Sequence, residues 1–338
     1  METVYAVLAT LLMAAGLCAQ TTAPDAVIRK LASEVSPDRI GASIKTLVGF
    51  ETRGNYSDPN QKNRGIGAAR RWIFDQMRGY SQRLEVSYET ARKDTTDIVS
   101  VIAVLPGVEK PEQRIIVSAH YDSINVRARG TRAAEAPAPG ADDDASGTAV
   151  VLELARVMSR YRFRKTIVFI AFGGEEVGLV GSTHYASRAK ANHEQIEAVF
   201  NNDIVGANVV GVVHNDVDGS DDLVGGDGDT GNRLRVYSPD PQDSPSRRIA
   251  RLVQEAAGRY VPRLHIELVS SADRYGRGGD HLPFQANGFA AVRLTSASEH
   301  SNTQHTADDA PEEVSPSFTA DVARANGVAI AILAVRLN

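Results

Sequence analysis

Short apolar runs rich in Val and Ile alternate along the chain with stretches in which apolar residues recur every three to four positions. The runs are Asp97 to Gly107, Arg114 to Ser123, Thr166 to Gly174, Glu197 to Gly206 and Ala290 to Ser296. Their length, their β-branched content and the turn residues that bound them predict strands. Helical spacing marks Gly147 to Tyr161 and Ser246 to Tyr260, and the C-terminal FTADVARANGVAIAILAVRL predicts a closing helix. Strands that are apolar throughout, rather than at alternate residues, are buried on both faces. The expected fold is therefore α/β, a three-layer αβα arrangement around a mixed, mostly parallel central sheet. Thr131 to Gly140 and the acidic stretch 214–232 read as loops, and no repeat or Pro/Ser-rich linker divides the chain.

Composition narrows the class of partner. The chain has 338 residues, 42% of them hydrophobic and 23% charged, which is enough to bury a sizeable core. A formal net charge of -5, with no run of Lys or Arg, argues against nucleic acid and against anionic lipid, so a small molecule or a peptide is the expected partner. The apolar stretch from Val4 to Ala19 is too short to span a membrane comfortably and is followed by small polar residues. It reads as a secretory signal peptide over 1–19, although Glu2 stands where such a segment ordinarily carries a positive charge. Cleavage after Ala19 removes Cys18, the only cysteine, and Leu17 before it does not fit a lipoprotein anchor. The mature protein is then expected outside the cytoplasm, secreted or periplasmic, without stable membrane insertion and without a thiol. Every metal-binding or catalytic role falls to His, Asp, Glu and hydroxyl groups. Residues 20–45 are expected as an N-terminal helical segment ahead of a single domain over 46–338.

Open α/β sheets bind their ligands beyond the carboxyl ends of the strands, so polar residues that follow apolar runs are the candidates for chemistry. RIIVSA leads into His120-Tyr121-Asp122, TIVFIAFGG into Glu175-Glu176, EAVF into Asn201-Asn202-Asp203, and AAVRLTS through a polar loop into His305. Asp142-Asp143-Asp144 directly precedes the helix that begins at Gly147. Each has an ordinary explanation alone, as a hydrogen-bonded histidine, an N-cap or a solvated acid. Four strand ends and a helix start converging on one edge change that reading. A site of nitrogen and oxygen donors without sulfur suits zinc or manganese, and carboxylates able to bridge favour two ions over one.

The set His120-x-Asp122, Gly140 to Gly147 (GADDDASG), Glu175-Glu176, Asp203 and His305-Thr306 resembles the co-catalytic zinc aminopeptidases of peptidase family M28, in the same order, from about Asp97 onward. The resemblance implies a zinc-exopeptidase fold without the protease-associated insertion of some relatives. It implies two zinc ions, with Asp143 bridging them, Glu176 and His305 completing one site and His120 and Asp203 the other. Glu175 is implied as the general base and Asp122 as the residue that orients His120. The segment Gly278 to Phe284 resembles the family's cleft segment with Gly279 in place of a usual serine, and Arg277, Asp280 and His281, with Arg274 nearby, are expected to meet substrate. NND around Asp203 departs from the more frequent family context.

The implied activity is removal of N-terminal residues from peptides that carry a free amino group. Two other functions use the same residues: a glutaminyl cyclase-like enzyme with one zinc, and a binding module on the same fold without catalysis. Stretch 214–232 carries alternating acidic residues and glycines in the manner of calcium loops but lacks the full EF-hand pattern, so calcium is a second cofactor to test. Side-chain preference and oligomeric state are not encoded in any pattern here.

Overall fold

Apolar runs of seven to eleven residues need both faces covered, and the chain meets that need with a single large sheet between helices. A computed structural model describes residues 22–130, 133–207, 211–214, 221–224, 231–239, 241–274, 278–299 and 302–334. Segment 1–19, Arg277 and much of 214–232 lie outside the described residues. The strands are β1 (Glu85–Lys93), β2 (Thr96–Leu105), β3 (Lys110–His120), β4 (Lys165–Phe172), β5 (Gln195–Asn202), a separate hairpin of β6 (Gly211–His214) and β7 (Asp221–Val224), β8 (Arg233–Ser238), β9 (His265–Ser270) and β10 (Ala291–Ser296). The main sheet has the order β1-β2-β4-β3-β5-β10-β8-β9. Its centre, β4-β3-β5-β10, is parallel, while β1, β2 and β8 enter antiparallel to a neighbour. The sheet is thus mixed with a parallel middle, as the apolar runs predict.

Alternate residues of the central strands serve two different cores. Ile115, Val117 and Ala119 of β3 and Ile167, Phe169 and Ala171 of β4 face one core, which also takes residues of α1 (Thr22–Ser33), α2 (Pro37–Val48), α3 (Gly65–Tyr80), α4 (Gly147–Met158), α6 (Pro245–Tyr260) and α8 (Pro316–Ala334). Ile116, Val168, Ile170 and Phe172 face the other, with Tyr185, Ala186 and Ala189 of α5 (Val180–Ala191) and Phe284 of α7 (His281–Ala286). This period of two produces three layers from strands that look uniformly apolar. Helix α4 is buried on every side, so it too shows little polarity along its length.

The five predicted strands and three predicted helices all form, with ends shifted by a few residues: β3 begins four residues before the predicted run, and the strands β2 to β5 stop two to four residues short of their predicted ends. Strand β5 ends at Asn202, because Asp203 turns out of the sheet and Ile204 adopts a left-handed backbone. Strand β1 carries no strong pattern, since most of its side chains are exposed or half-exposed at the sheet edge. Helix α5 is equally quiet in sequence, because it packs through small residues and one tyrosine.

One charged side chain ties the loops at the carboxyl edge together. Arg53, in the loop after α2, is fully buried and donates Nε to the Tyr121 carbonyl at 2.6 Å and Nη2 to the Gly140 carbonyl at 2.8 Å. Its Nη1 serves the carbonyls of Pro139 and Leu47. A fork of five fixed donors suits this task, whereas a point-like ammonium does not. Replacing Arg53 with Met strands these acceptors in the interior, at about 1–3 kcal/mol each. The expected outcome for Arg53→Met is a loss of at least about 3 kcal/mol of unfolding free energy by urea titration; an unchanged midpoint would show that the loops hold without it.

Candidate metal centre

Parallel neighbours end at the same edge, and the loops that leave that edge bring the polar residues together. His120 is the last residue of β3, Asp203 follows β5 directly, and Glu175 and Glu176 follow β4 after the turn Gly173-Gly174. His305 lies in the loop between β10 and α8, with a left-handed backbone. Asp143 belongs to a kinked segment, Ala141–Ser146, whose backbone leaves helical geometry at Asp143 and Asp144 just before α4 begins. His120 Nε2 stands 3.1 Å from Asp143 Oδ1 and 3.9 Å from Asp203 Oδ1. His305 Nε2 stands 3.0 Å from Asp143 Oδ2 and 3.2 Å from Glu176 Oε2. The donor atoms form two compact triads, His120-Asp143-Asp203 and Asp143-Glu176-His305, each with all donor atoms within 4.8 Å of one another. Asp143 belongs to both, one oxygen turned to each histidine.

The other aspartates hold the frame rather than the triads. Asp144 accepts backbone N–H groups from His120, Gly147 and Ile204, which pins the ends of β3 and β5 to the start of α4. Asp142 accepts from Gly206, and Asp309 accepts from the N–H groups of Asp142 and Asp143. Gly147 is required at the junction, because a Cβ there would lie 2.4 Å from the Asn202 carbonyl and 2.6 Å from Asp144 Oδ1. The asparagines before Asp203 tie β5 inward: Asn202 donates to the Ser118 carbonyl and accepts from Asn326 of α8.

Asp122 has a role different from the expected one. Its carboxylate is 3.7 Å from His120 Nδ1, beyond hydrogen-bond range, and its backbone carbonyl is the nearer partner at 3.2 Å. The carboxylate instead accepts the backbone N–H groups of Gly174, Glu175 and Glu176 and the Asn55 amide at 2.6 Å. It therefore positions the acidic pair, while the residue's own carbonyl orients His120.

Electrostatics explain what these residues lack. Burial and the neighbouring acids push the carboxyl groups of Glu175 and Glu176 well above their ordinary range, with His120 opposing that shift in both. Burial also works against the charge of Asp143, but hydrogen bonds and attraction from His120 and His305 outweigh it and hold this carboxyl well below its ordinary range. For His120 burial disfavours the imidazolium, yet contacts with Asp122 and Asp143 hold it well above its usual value. Arg293, buried in β10, gives Nη2 to Asp203 Oδ1 at 2.9 Å and is shared with Asp273. Glu176 Oε1 is buried with no hydrogen-bond partner. Two imidazoles, three carboxylates, no sulfur and an orphaned carboxylate oxygen are a donor set that fits zinc.

The remaining expected site residues fall elsewhere. His281 is fully buried, its Nε2 2.7 Å from the Ala272 carbonyl, and Asp280 is fully buried with neither carboxylate oxygen hydrogen-bonded. Neither lines the cavity of about 220 Å³ beside the triads, whereas Arg274, Arg293 and Gly278 do. Arg277 lies outside the described residues. The two triads are the donor groups that converge among the described residues, and neither draws on 214–232, so calcium gains no support there. Sequence reasoning missed Arg293, though an arginine inside the apolar run AAVRLTS was a visible signal; Asn55, Arg53 and Asp309 carried none.

Known proteins share this arrangement of sequence and fold. The profile of Peptidase family M28 matches residues 100–330. A probable zinc metalloprotease of Pyricularia oryzae is 38% identical over 299 residues, covering 83% of this chain and 59% of its own length. This chain thus spans about three fifths of that relative. The LapA aminopeptidase of Legionella pneumophila superposes with a TM-score of 0.69 at 19% identity, covering 92% of this chain and 75% of its own. Glutaminyl cyclase of Porphyromonas gingivalis superposes with a TM-score of 0.65 at 18% identity, covering 88% and 99%. At these identities the two structures share the fold, and the fold alone.

The part played by Asp122 can be tested with Asp122→Asn. An amide of the same shape must turn an NH2 group toward backbone N–H or Asn55 donors, leaving donor facing donor. The expected outcome is a stability loss of about 2 kcal/mol or more, and zinc content by mass spectrometry that falls with it because Glu176 is no longer held. Full zinc content in a stable Asp122→Asn protein would show that the acidic pair is placed by something else.

Proposed function

Because the chain belongs to peptidase family M28, we propose that it is a zinc-dependent aminopeptidase, secreted or periplasmic, that hydrolyses the first peptide bond of substrates with a free amino terminus. The observation that carries this reading is the division of Asp143, whose two oxygens face His120 and His305 at 3.1 and 3.0 Å and so build two triads on one shared carboxylate. Each triad would hold one zinc, His120 and Asp203 on one side, Glu176 and His305 on the other. Zinc, when bound, supplies Lewis acidity for amide hydrolysis and makes water a nucleophile near neutral pH.

The chain's own residues account for the other requirements. Glu175 lines the cavity beside both triads without belonging to either, so it is free to take a proton from water and return it to the leaving amine. The cavity of about 220 Å³ that these residues share is lined by Glu175, Asp143 and Asp203 and also by the buried Arg274 and Arg293. Its carboxylates favour an ammonium.

Purified protein is expected to carry close to two zinc ions per chain, to cleave chromogenic amides of free amino acids, and to leave their N-acetylated forms intact. One zinc with pyroglutamate formed from N-terminal glutamine would identify a cyclase instead. An active preparation without metal would overturn both. The acidic pair separates the roles further. Glu175→Gln is expected to keep zinc and fold while kcat falls by roughly 10²–10⁴, with KM little changed. Glu176→Gln is expected to lower zinc occupancy and thermal stability, with activity partly restored by excess zinc. Measuring metal and rate on the same preparations decides the assignment, and the opposite pattern would exchange the two roles.

A further inference from the structure

A second, larger cavity of about 400 Å³ adjoins the triads, and Glu176 is the wall that the two cavities share. Besides Glu176 and Val177, it is lined by residues that belong to neither triad: the loop around Asn55 and Tyr56, the residues that follow Asp122, and Gly130, Ala133, Ala134 and Ala136. Apart from Glu176, its described lining carries no charged side chain. Ile124, Ala133, Ala134, Ala136 and Val177 give it an apolar surface.

The rim points the same way. The large hydrophobic side chains most exposed among the described residues are Tyr56, Tyr88, Val108 and Val126. Tyr56, half exposed at 50%, lines this cavity, and Val126 at 49% follows the lining residue Asn125. Exposed apolar groups that gather at the mouth of an apolar recess mark a place where something apolar binds. The backbone N–H of Val126 donates to the carbonyl of His305 at 2.9 Å, which fixes this rim to a residue of the metal centre.

We propose that this cavity receives the side chain of the second substrate residue, the one on the leaving side of the scissile bond, and that it selects apolar residues there. The inference rests on the aminopeptidase reading for its direction. The smaller cavity is lined by the carboxylates of Glu175, Asp143 and Asp203, so the substrate's ammonium belongs there. Glu176 is the residue common to both linings, so a peptide whose first residue occupies the smaller cavity reaches the larger one by passing Glu176.

The test varies the second residue at a constant first one, with Leu-Gly-Gly, Leu-Leu-Gly and Leu-Phe-Gly, and varies the first residue in Ala-Gly-Gly, Leu-Gly-Gly and Phe-Gly-Gly. Full burial of a leucine or phenylalanine side chain predicts that zinc-loaded protein prefers Leu-Leu-Gly or Leu-Phe-Gly over Leu-Gly-Gly by about 10-fold or more in kcat/KM. Ala134→Phe, which fills the cavity, is expected to bring that ratio close to one, and Tyr56→Ala to lower it about threefold. Because Tyr56 is half exposed, its replacement does not threaten the fold, and thermal unfolding of both variants checks this. A ratio near one in the unaltered protein, or a ratio unmoved by either variant, would overturn the proposal. So would variants that alter the preference among first residues and leave that among second residues as it was. If zinc-loaded protein turns over none of the peptides, the aminopeptidase reading fails by itself. Calorimetric binding of Leu-Leu-Gly and Leu-Gly-Gly to zinc-loaded Glu175→Gln protein then decides the cavity: tighter binding of Leu-Leu-Gly that Ala134→Phe abolishes supports it, and equal binding refutes it.

Discussion

Carboxylates crowded into a nearly dry space repel one another, and the architecture at the carboxyl edge of the sheet is a response to that repulsion. At an effective dielectric of about 20, two like charges 4 Å apart cost about 4 kcal/mol, more than the ~1 kcal/mol that a hydrogen bond contributes net. Backbone donors alone therefore do not stabilise the cluster in its charged form. The structure divides the acids into two groups. Asp122, Asp142, Asp144 and Asp309 each accept backbone N–H groups and fix the loops, Asp142 through Oδ1 alone. Asp143, Asp203 and Glu176 turn toward two histidines, in the geometry that a cation would complete.

That division depends on topology. Strands β3, β4 and β5 are parallel neighbours, so the turns that follow them emerge side by side, and β10 lies next to β5 in the same direction. The kinked segment before α4 is fastened by Asp144 to both β3 and the turn after β5. Arg53 closes the arrangement from the other side, joining the end of α2 to the carbonyls of Tyr121 and Gly140. The five segments that carry the two triads are thus tied together by the protein's own hydrogen bonds, which reduces the ordering cost of binding a cation there.

The same kind of tie shapes what lies around the centre. Arg293 enters the sheet as a buried cation beside Asp203, and Gly279 leaves it room, since a Cβ there would stand 3.0 Å from Asp203 Oδ2 and 3.1 Å from Arg293 Nη1. Burial opposes the arginine's charge, but Asp203 and Asp273 outweigh burial and keep it protonated more firmly than usual. This arginine lines the polar cavity, and Glu176 lines both that cavity and the apolar one. One carboxylate thereby stands between two environments of opposite character.

The sequence alone determined the layers, because the length and uniformity of an apolar run report whether both faces of a strand are buried. It also determined which residues stand at the carboxyl edge, because chain order places His120, Glu175, Glu176 and Asp203 directly after such runs. Residue type does not distinguish Asp142, Asp143 and Asp144; the family resemblance singled out Asp143, and the tertiary structure supplied the physical reason, since the backbone path through the kinked segment turns Asp143 alone of the three to the histidines. The tertiary structure also gave Asp122 its partners: hydrogen bonds to Gly174, Glu175 and Glu176 exist only because β3 and β4 are adjacent. Arg53 and the walls of the apolar cavity were illegible for the same reason. Their partners lie far along the chain, and a local pattern of polar and apolar residues carries information about burial, not about which distant segment supplies the burial.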